Sequence, residues 1–167
     1  MSTRNFYGVL RVREDPADDT GPAQRVLIHG TINHGTQILV PGSERIATSY
    51  FGTGSGISRA IRAKGENGPI RLGILGLGAG VTATLAREGD TLHYYEINPL
   101  VPEIADKYFG FFKGCPAKPT LQMGDGRLVL EKMEKSEDLD FLAMDAFTSD
   151  AVPVHLLTKE AFAIYRR

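Results

Sequence analysis

Hydrophobic and polar positions along the chain follow two rhythms, and the change falls near residue 65. Residues 6–13 alternate loosely between apolar and polar and run into the acidic, turn-rich stretch 14–22. Residues 24–29 and 31–40 give two more strand candidates, with Gly30 and Gly35 marking bends or bulges. A glycine-rich turn over 52–56 leads to a helix over 57–64, and residues 65–69 form the clearest boundary. Beyond it, short apolar runs at 70–75, 91–96, 119–123 and 139–145 alternate with helical patterns at 80–87, 99–112 and 126–134. A last helix begins near 154. In the helix over 99–112, Val101, Ile104, Ala105, Tyr108, Phe109 and Phe112 form one apolar stripe at helical spacing. This alternation predicts an α/β fold, with a Rossmann-like, mostly parallel sheet of about four strands and helices on both faces. A small N-terminal β segment precedes it. The expected division is 1–64, β-rich with a linking helix, and 65–167, the front half of a nucleoside-binding domain.

The sheet is expected to be incomplete. The run Phe141-Leu142-Ala143-Met144 reads as a fully buried strand, yet only one further helix follows it. An uncovered apolar edge is an aggregation liability. The expectation is that the chain is the front part of a longer domain, or that it pairs with a second copy as a homodimer.

Bulk properties narrow the function classes. The 167 residues are 42% hydrophobic and 23% charged, with a net charge of −1, so no basic field invites nucleic acid. No apolar run reaches membrane-spanning length, and Met1-Ser2-Thr3-Arg4 leads into no signal-peptide core. The single Cys115 forms no intrachain disulfide, which fits a reducing compartment, and a cytoplasmic location is expected.

The chemistry gathers where strands end. Gly76-Leu77-Gly78-Ala79-Gly80 follows the first parallel strand, and Glu96 closes the second, twenty positions after Gly76. That spacing suits a strand–helix turn against a nucleoside with an acid on its ribose hydroxyls. Val81 stands where a dinucleotide fingerprint wants Gly or Ala, so the pattern fits S-adenosylmethionine-type sites better than NAD sites. Asp125, in Gly124-Asp125-Gly126-Arg127, caps the following helix or accepts from an adenine amino group, two roles that can coexist. Asp145 closes the fourth strand and Asp150 follows it; acids there attract a cationic amine and take its proton. Capping or turn formation is the competing role for Asp150. Gln37 is either a residue folding over the cofactor or plain strand polarity. Tyr50 either lines an amine pocket or packs in the core. His29 and His34 are too isolated for a metal site, and His155 reads as a surface residue.

Taken together, these motifs resemble those of spermidine synthase-like proteins (polyamine aminopropyltransferases), which share the class I S-adenosylmethionine-dependent methyltransferase fold. The similarity runs through His29-Gly30-Thr31-Ile32-Asn33-His34-Gly35-Thr36-Gln37, Ile46-Ala47-Thr48-Ser49-Tyr50-Phe51, the glycine loop, Tyr95-Glu96-Ile97-Asn98-Pro99, Gly124-Asp125-Gly126-Arg127 and the 145–157 segment. It looks most like the divergent branch often fused to membrane segments. The resemblance implies that Gly76, Gly78, Gly80 and Glu96 hold decarboxylated S-adenosylmethionine, that Asp125 contacts adenine, and that Asp145 deprotonates or orients an attacking amine. Gln37 matches a glutamine near the cofactor and Tyr50 a substrate-pocket tyrosine, with Asp150 helping to attract the amine. Ala79 stands where stand-alone synthases carry an acid, Pro is missing after Asp150, and the later strands are absent. The expected activity is therefore aminopropyl transfer to a small amine. The alternatives are a methyltransferase using S-adenosylmethionine itself, or a non-catalytic nucleoside-binding fragment.

Overall fold

The computed structural model describes residues 1–133, 138–147 and 151–166. Two four-stranded sheets organise them. The N-terminal sheet is an antiparallel meander of β1 (Ser2–Asn5), β2 (Gly8–Asp15), β3 (Gln24–His29) and β4 (Ile32–Ile38), in sequential order. Along β2, Leu10 and Val12 point inward while Arg11 and Arg13 face solvent, the alternation of a half-buried strand. β1 was not expected, because Ser2-Thr3-Arg4-Asn5 is entirely polar; its ladder to β2 holds it. Phe6 and Tyr7, read as strand, are the tip of the β1–β2 hairpin, where Asn5 Oδ1 accepts the Tyr7 N–H at 3.0 Å.

After α1 (Gly56–Lys64) the chain enters the parallel sheet: β5 (Arg71–Leu75), β6 (Thr91–Glu96), β7 (Thr120–Met123) and β8 (Phe141–Met144), in the order β7-β6-β5-β8. The strand bearing the glycine loop thus lies between the strand that ends in Glu96 and the strand before Asp145. Helix α2 (Leu100–Tyr108) buries Val101, Ile104 and Ala105 on one face of the sheet. On the other face, Leu75, Tyr95 and Leu156 pack with Val129, Leu130 and Tyr165 of α3 (Gly126–Lys132) and α4 (Lys159–Tyr165).

Two expectations need correction. The helix over 80–87 is only a 3₁₀ turn, Val81–Thr84. Val and Thr are poor helix formers. The segment is also pinned by side chains: Thr82 Oγ1 meets Tyr94 Oη at 2.6 Å, and Asp90 accepts the Arg87 and Ile70 N–H groups at 2.8 and 2.9 Å. Strand β8 is not fully buried; only Ala143 is, while Phe141, Leu142 and Met144 are half-buried at the edge of the described sheet.

The two sheets meet at Gly35. This residue produces the expected bulge, visible as the register shift between β3 and β4. Its φ of +140° is open to glycine, and a Cβ there would lie 2.5 Å from the Ala79 Cβ and 2.9 Å from Val81 Cγ2. Gly30 has φ +61° with open space around it. Gly35→Ala should therefore lower unfolding free energy by roughly 2–5 kcal/mol, from backbone strain plus overpacking. Gly30→Ala should cost only about 1–2 kcal/mol, from strain alone. Urea denaturation of the two variants compares them, and equal losses would contradict a tight contact.

Candidate active site

The glycine loop forms the middle of the site. Gly76, Gly78 and Gly80 all have positive φ, at +95°, +55° and +85°. A Cβ on Gly76 would strike the Asp145 carbonyl at 2.6 Å, and one on Gly78 the His34 carbonyl at 2.7 Å. The loop N–H groups are mostly spent within the protein. Gly76 donates to Tyr95 O, Ala79 to His34 O and Gly80 to Leu77 O, at 2.8, 3.0 and 2.9 Å, and Leu77 donates to Glu96 Oε2 at 2.9 Å.

Glu96 is 7% exposed at the tip of β6. Its other oxygen, Oε1, accepts the Asn98 N–H at 2.8 Å. Burial pushes the carboxyl above its ordinary value, opposed by the backbone N–H bonds from Asn98, Leu77 and Ile97 and by the nearby His29. The acceptor capacity that remains on the carboxylate suits ribose hydroxyls. Asn98 in turn accepts from Asn5 Nδ2 at 2.6 Å, which ties the N-terminal sheet to this tip.

Asp125 does cap α3, its Oδ1 accepting the Leu128 N–H at 3.1 Å. Its Oδ2 lies 2.7 Å from His155 Nε2. His155 is exposed, as expected from its place at a helix start, and it also lines the same cavity as Asp125. Only the spatial neighbourhood of β7 and the 154–157 turn reveals this, since thirty positions separate the pair.

Asp145 lies at the end of β8, directly over Gly76. Burial alone pushes its carboxyl up to about 7. Tyr50 lies close enough that partial burial and the charge of Asp145 together raise its hydroxyl well above the ordinary value. The Tyr50 ring, 47% exposed, packs on Phe51 at 4.2 Å and does not line the cavity. Gln37 also lies elsewhere. It is buried, accepts the Gly110 N–H at 3.2 Å and donates to Glu44 O at 3.2 Å, bracing β4 against the segment after α2. Asp150 falls outside the described residues.

Together Gly76, Gly78, Glu96, Asp125 and Asp145 line one cavity of about 380 Å³ across the carboxyl tips of β5 to β8. Its roof belongs to the N-terminal sheet: Leu10, Leu27, His29, His34 and the Phe6–Tyr7 hairpin tip. Burial and the neighbouring His29 push the His34 imidazole down to about 4, so it is neutral at pH 7. No Lys or Arg is among the described lining residues. Three carboxyl groups between apolar walls suit a cationic ligand with an apolar body.

No family model matches the chain. A polyamine aminopropyltransferase from Vibrio vulnificus (strain CMCP6) is 37% identical over 97 residues, which are 55% of this chain and 31% of that protein. Two solved structures superpose on 99% of this chain with a TM-score of 0.64 and 17% identity. They are spermidine synthase from Thermotoga maritima and a spermidine synthase in complex with the transition state analogue AdoDATO, of which the chain covers 52% and 53%. The chain therefore spans about half the length of these structures, and its match covers about a third of the bacterial relative. Over those 97 residues the chain is similar in sequence to a polyamine aminopropyltransferase, and it shares the class I methyltransferase fold of the two spermidine synthase structures. No helix among the described residues is long and apolar enough to cross a membrane.

The raised carboxyl of Asp145 has a signature in stability. From about pH 4 to about pH 7 the folded state holds a proton that the unfolded chain has lost, so this group lowers stability as pH rises. Asp145→Asn should therefore melt at a higher temperature than wild type near pH 8, with the gap shrinking towards pH 4. Thermal melts across that window test the sign, and a pH-independent gap would contradict burial as its cause.

Proposed function

We propose that the chain carries aminopropyl transfer from decarboxylated S-adenosylmethionine to a small amine, with residues 65–167 holding the nucleoside and residues 1–64 roofing it. The observation that carries this reading is the division of labour across one cavity. Glu96, held by two backbone N–H groups, suits ribose hydroxyls. Asp145, raised by burial alone, suits proton exchange near neutral pH.

The absence of Lys and Arg from the described lining supports a cation as the reacting group. It also favours the decarboxylated form. A carboxylate tail would face carboxyl walls and a loop whose N–H groups are largely spent. Ala79 at the loop is 1% exposed, packed beneath Gly35, so the tail finds no loop acid there. Gly76 and Gly78 admit close approach of the nucleoside to the loop, and Gly80 sets the left-handed turn that ends it.

Bound in the cavity, the sulfonium supplies an electrophilic methylene. The amine nitrogen forms a bond to that carbon as the carbon–sulfur bond breaks. The electron pair goes to sulfur, and methylthioadenosine leaves as a neutral thioether. Asp145 attracts the incoming ammonium and takes the proton that the amine must lose. The apolar walls exclude water and align the two reactants. Tyr50, beside Asp145, flanks the approach of the amine.

Purified protein should release methylthioadenosine from decarboxylated S-adenosylmethionine with putrescine or a related amine. Asp145→Asn should lower kcat by about 100-fold or more, and the acidic limb of the kcat/KM profile should fall near pH 7, where Asp145 titrates. Tighter calorimetric binding of S-adenosylmethionine than of its decarboxylated form would favour methyl transfer instead. No binding of either would leave only the fold.

A further inference from the structure

Asp125 is held from two directions. Its Oδ1 accepts the Leu128 N–H of its own helix at 3.1 Å, and its Oδ2 accepts from His155 Nε2 at 2.7 Å across the chain. His155 is itself anchored. Arg127 Nη1 donates to the His155 carbonyl at 2.8 Å, and Leu156 is buried between the sheet and α3. Both members of the pair line the cavity, with Asp125 18% and His155 48% exposed at the side chain.

We propose that His155 is a specificity-determining positioning residue: its bond to Asp125 fixes the carboxylate edge that faces the cavity, so that the site selects a nucleoside base bearing an exocyclic amine over one bearing an oxo group. The inference rests on the nucleoside reading above. An ionised carboxylate only accepts hydrogen bonds. A 6-amino purine offers it a donor at the exocyclic position, whereas a 6-oxo purine presents lone pairs there and carries its donor one position away, at N1–H, so a carboxylate fixed against the exocyclic group is left facing an acceptor. An Asp carboxylate has a broad χ2 well, so a helix cap alone lets it swivel. The donor on Oδ2 stops that rotation and leaves one lone pair on each oxygen for the base. Without the imidazole, the ribose and apolar contacts persist but the base edge loses its fixed reader.

Calorimetry with methylthioadenosine and its 6-oxo counterpart, methylthioinosine, tests this on wild type, His155→Ala, His155→Phe and His155→Gln. Wild type should prefer the amino base. That preference should fall by about ten-fold in the Ala and Phe variants, the value of one hydrogen bond to a charged group. Gln, which retains a donor, should preserve it. Phe keeps the ring bulk, so thermal melts of the set separate lost packing from lost recognition. An unchanged ratio in the Ala and Phe variants, or equal weakening of both nucleosides, overturns the inference. Equal binding of both by wild type overturns it while leaving the nucleoside reading intact. If wild type binds neither, the nucleoside reading itself falls and takes the inference with it.

Discussion

The site depends on one close approach between backbones. At Gly35 the N-terminal sheet reaches the glycine loop so tightly that a single Cβ would overlap Ala79. The neighbouring His34 carbonyl binds the Ala79 N–H and leaves no room for a Cβ on Gly78. This contact makes a meander of marginal size into a roof. Asn5, bonded to Asn98, secures the same roof at its far end. Between these two fastenings lies the cavity, closed by Leu10 and Leu27 above and by the strand tips below.

Two carboxyl groups in that cavity show how environment sets role. Glu96 is the more thoroughly enclosed, yet backbone N–H groups on both oxygens oppose the effect of burial, and the group is fixed in place. Burial acts on Asp145 with no opposing N–H bond among the described residues, and its carboxyl rises to about 7. The same chemical function thus serves as a rigid acceptor in one place and a titrating group in the other.

Much of this was legible in the order of residues, and the failures are instructive. The parallel strands and the first part of the α2 stripe, Val101, Ile104 and Ala105, followed from periodicity, whereas Phe109 and Phe112 lie beyond the helix, which ends at Tyr108. The Gly76–Glu96 spacing led to two groups that do meet in one cavity. Local patterning misjudged 80–87, where Thr82 bonds Tyr94 and Asp90 bonds the Ile70 N–H across the fold, overriding a helical rhythm. It also misjudged Phe6 and Tyr7, whose aromatic character suggested a strand although Asn5 turns the chain there. Gln37 matched a motif yet braces Gly110, and His155 matched none yet holds Asp125. The two contacts share a cause: a polar side chain's partner is set by tertiary neighbours far away in the chain, and no spacing rule encodes it.

The spent amides of the glycine loop carry a consequence for competition in a cell. Nucleoside triphosphates share the adenosine half of the proposed ligand and are abundant. A turn that offered its N–H groups outward would cradle their phosphates. Here those groups already serve Tyr95, Glu96, His34 and Leu77, and the walls beyond bear carboxyl groups. On the proposed reading, a polyphosphate tail would meet repulsion where a sulfonium would meet attraction. The loop's internal bonding would then make the turn a filter against the commonest nucleotides.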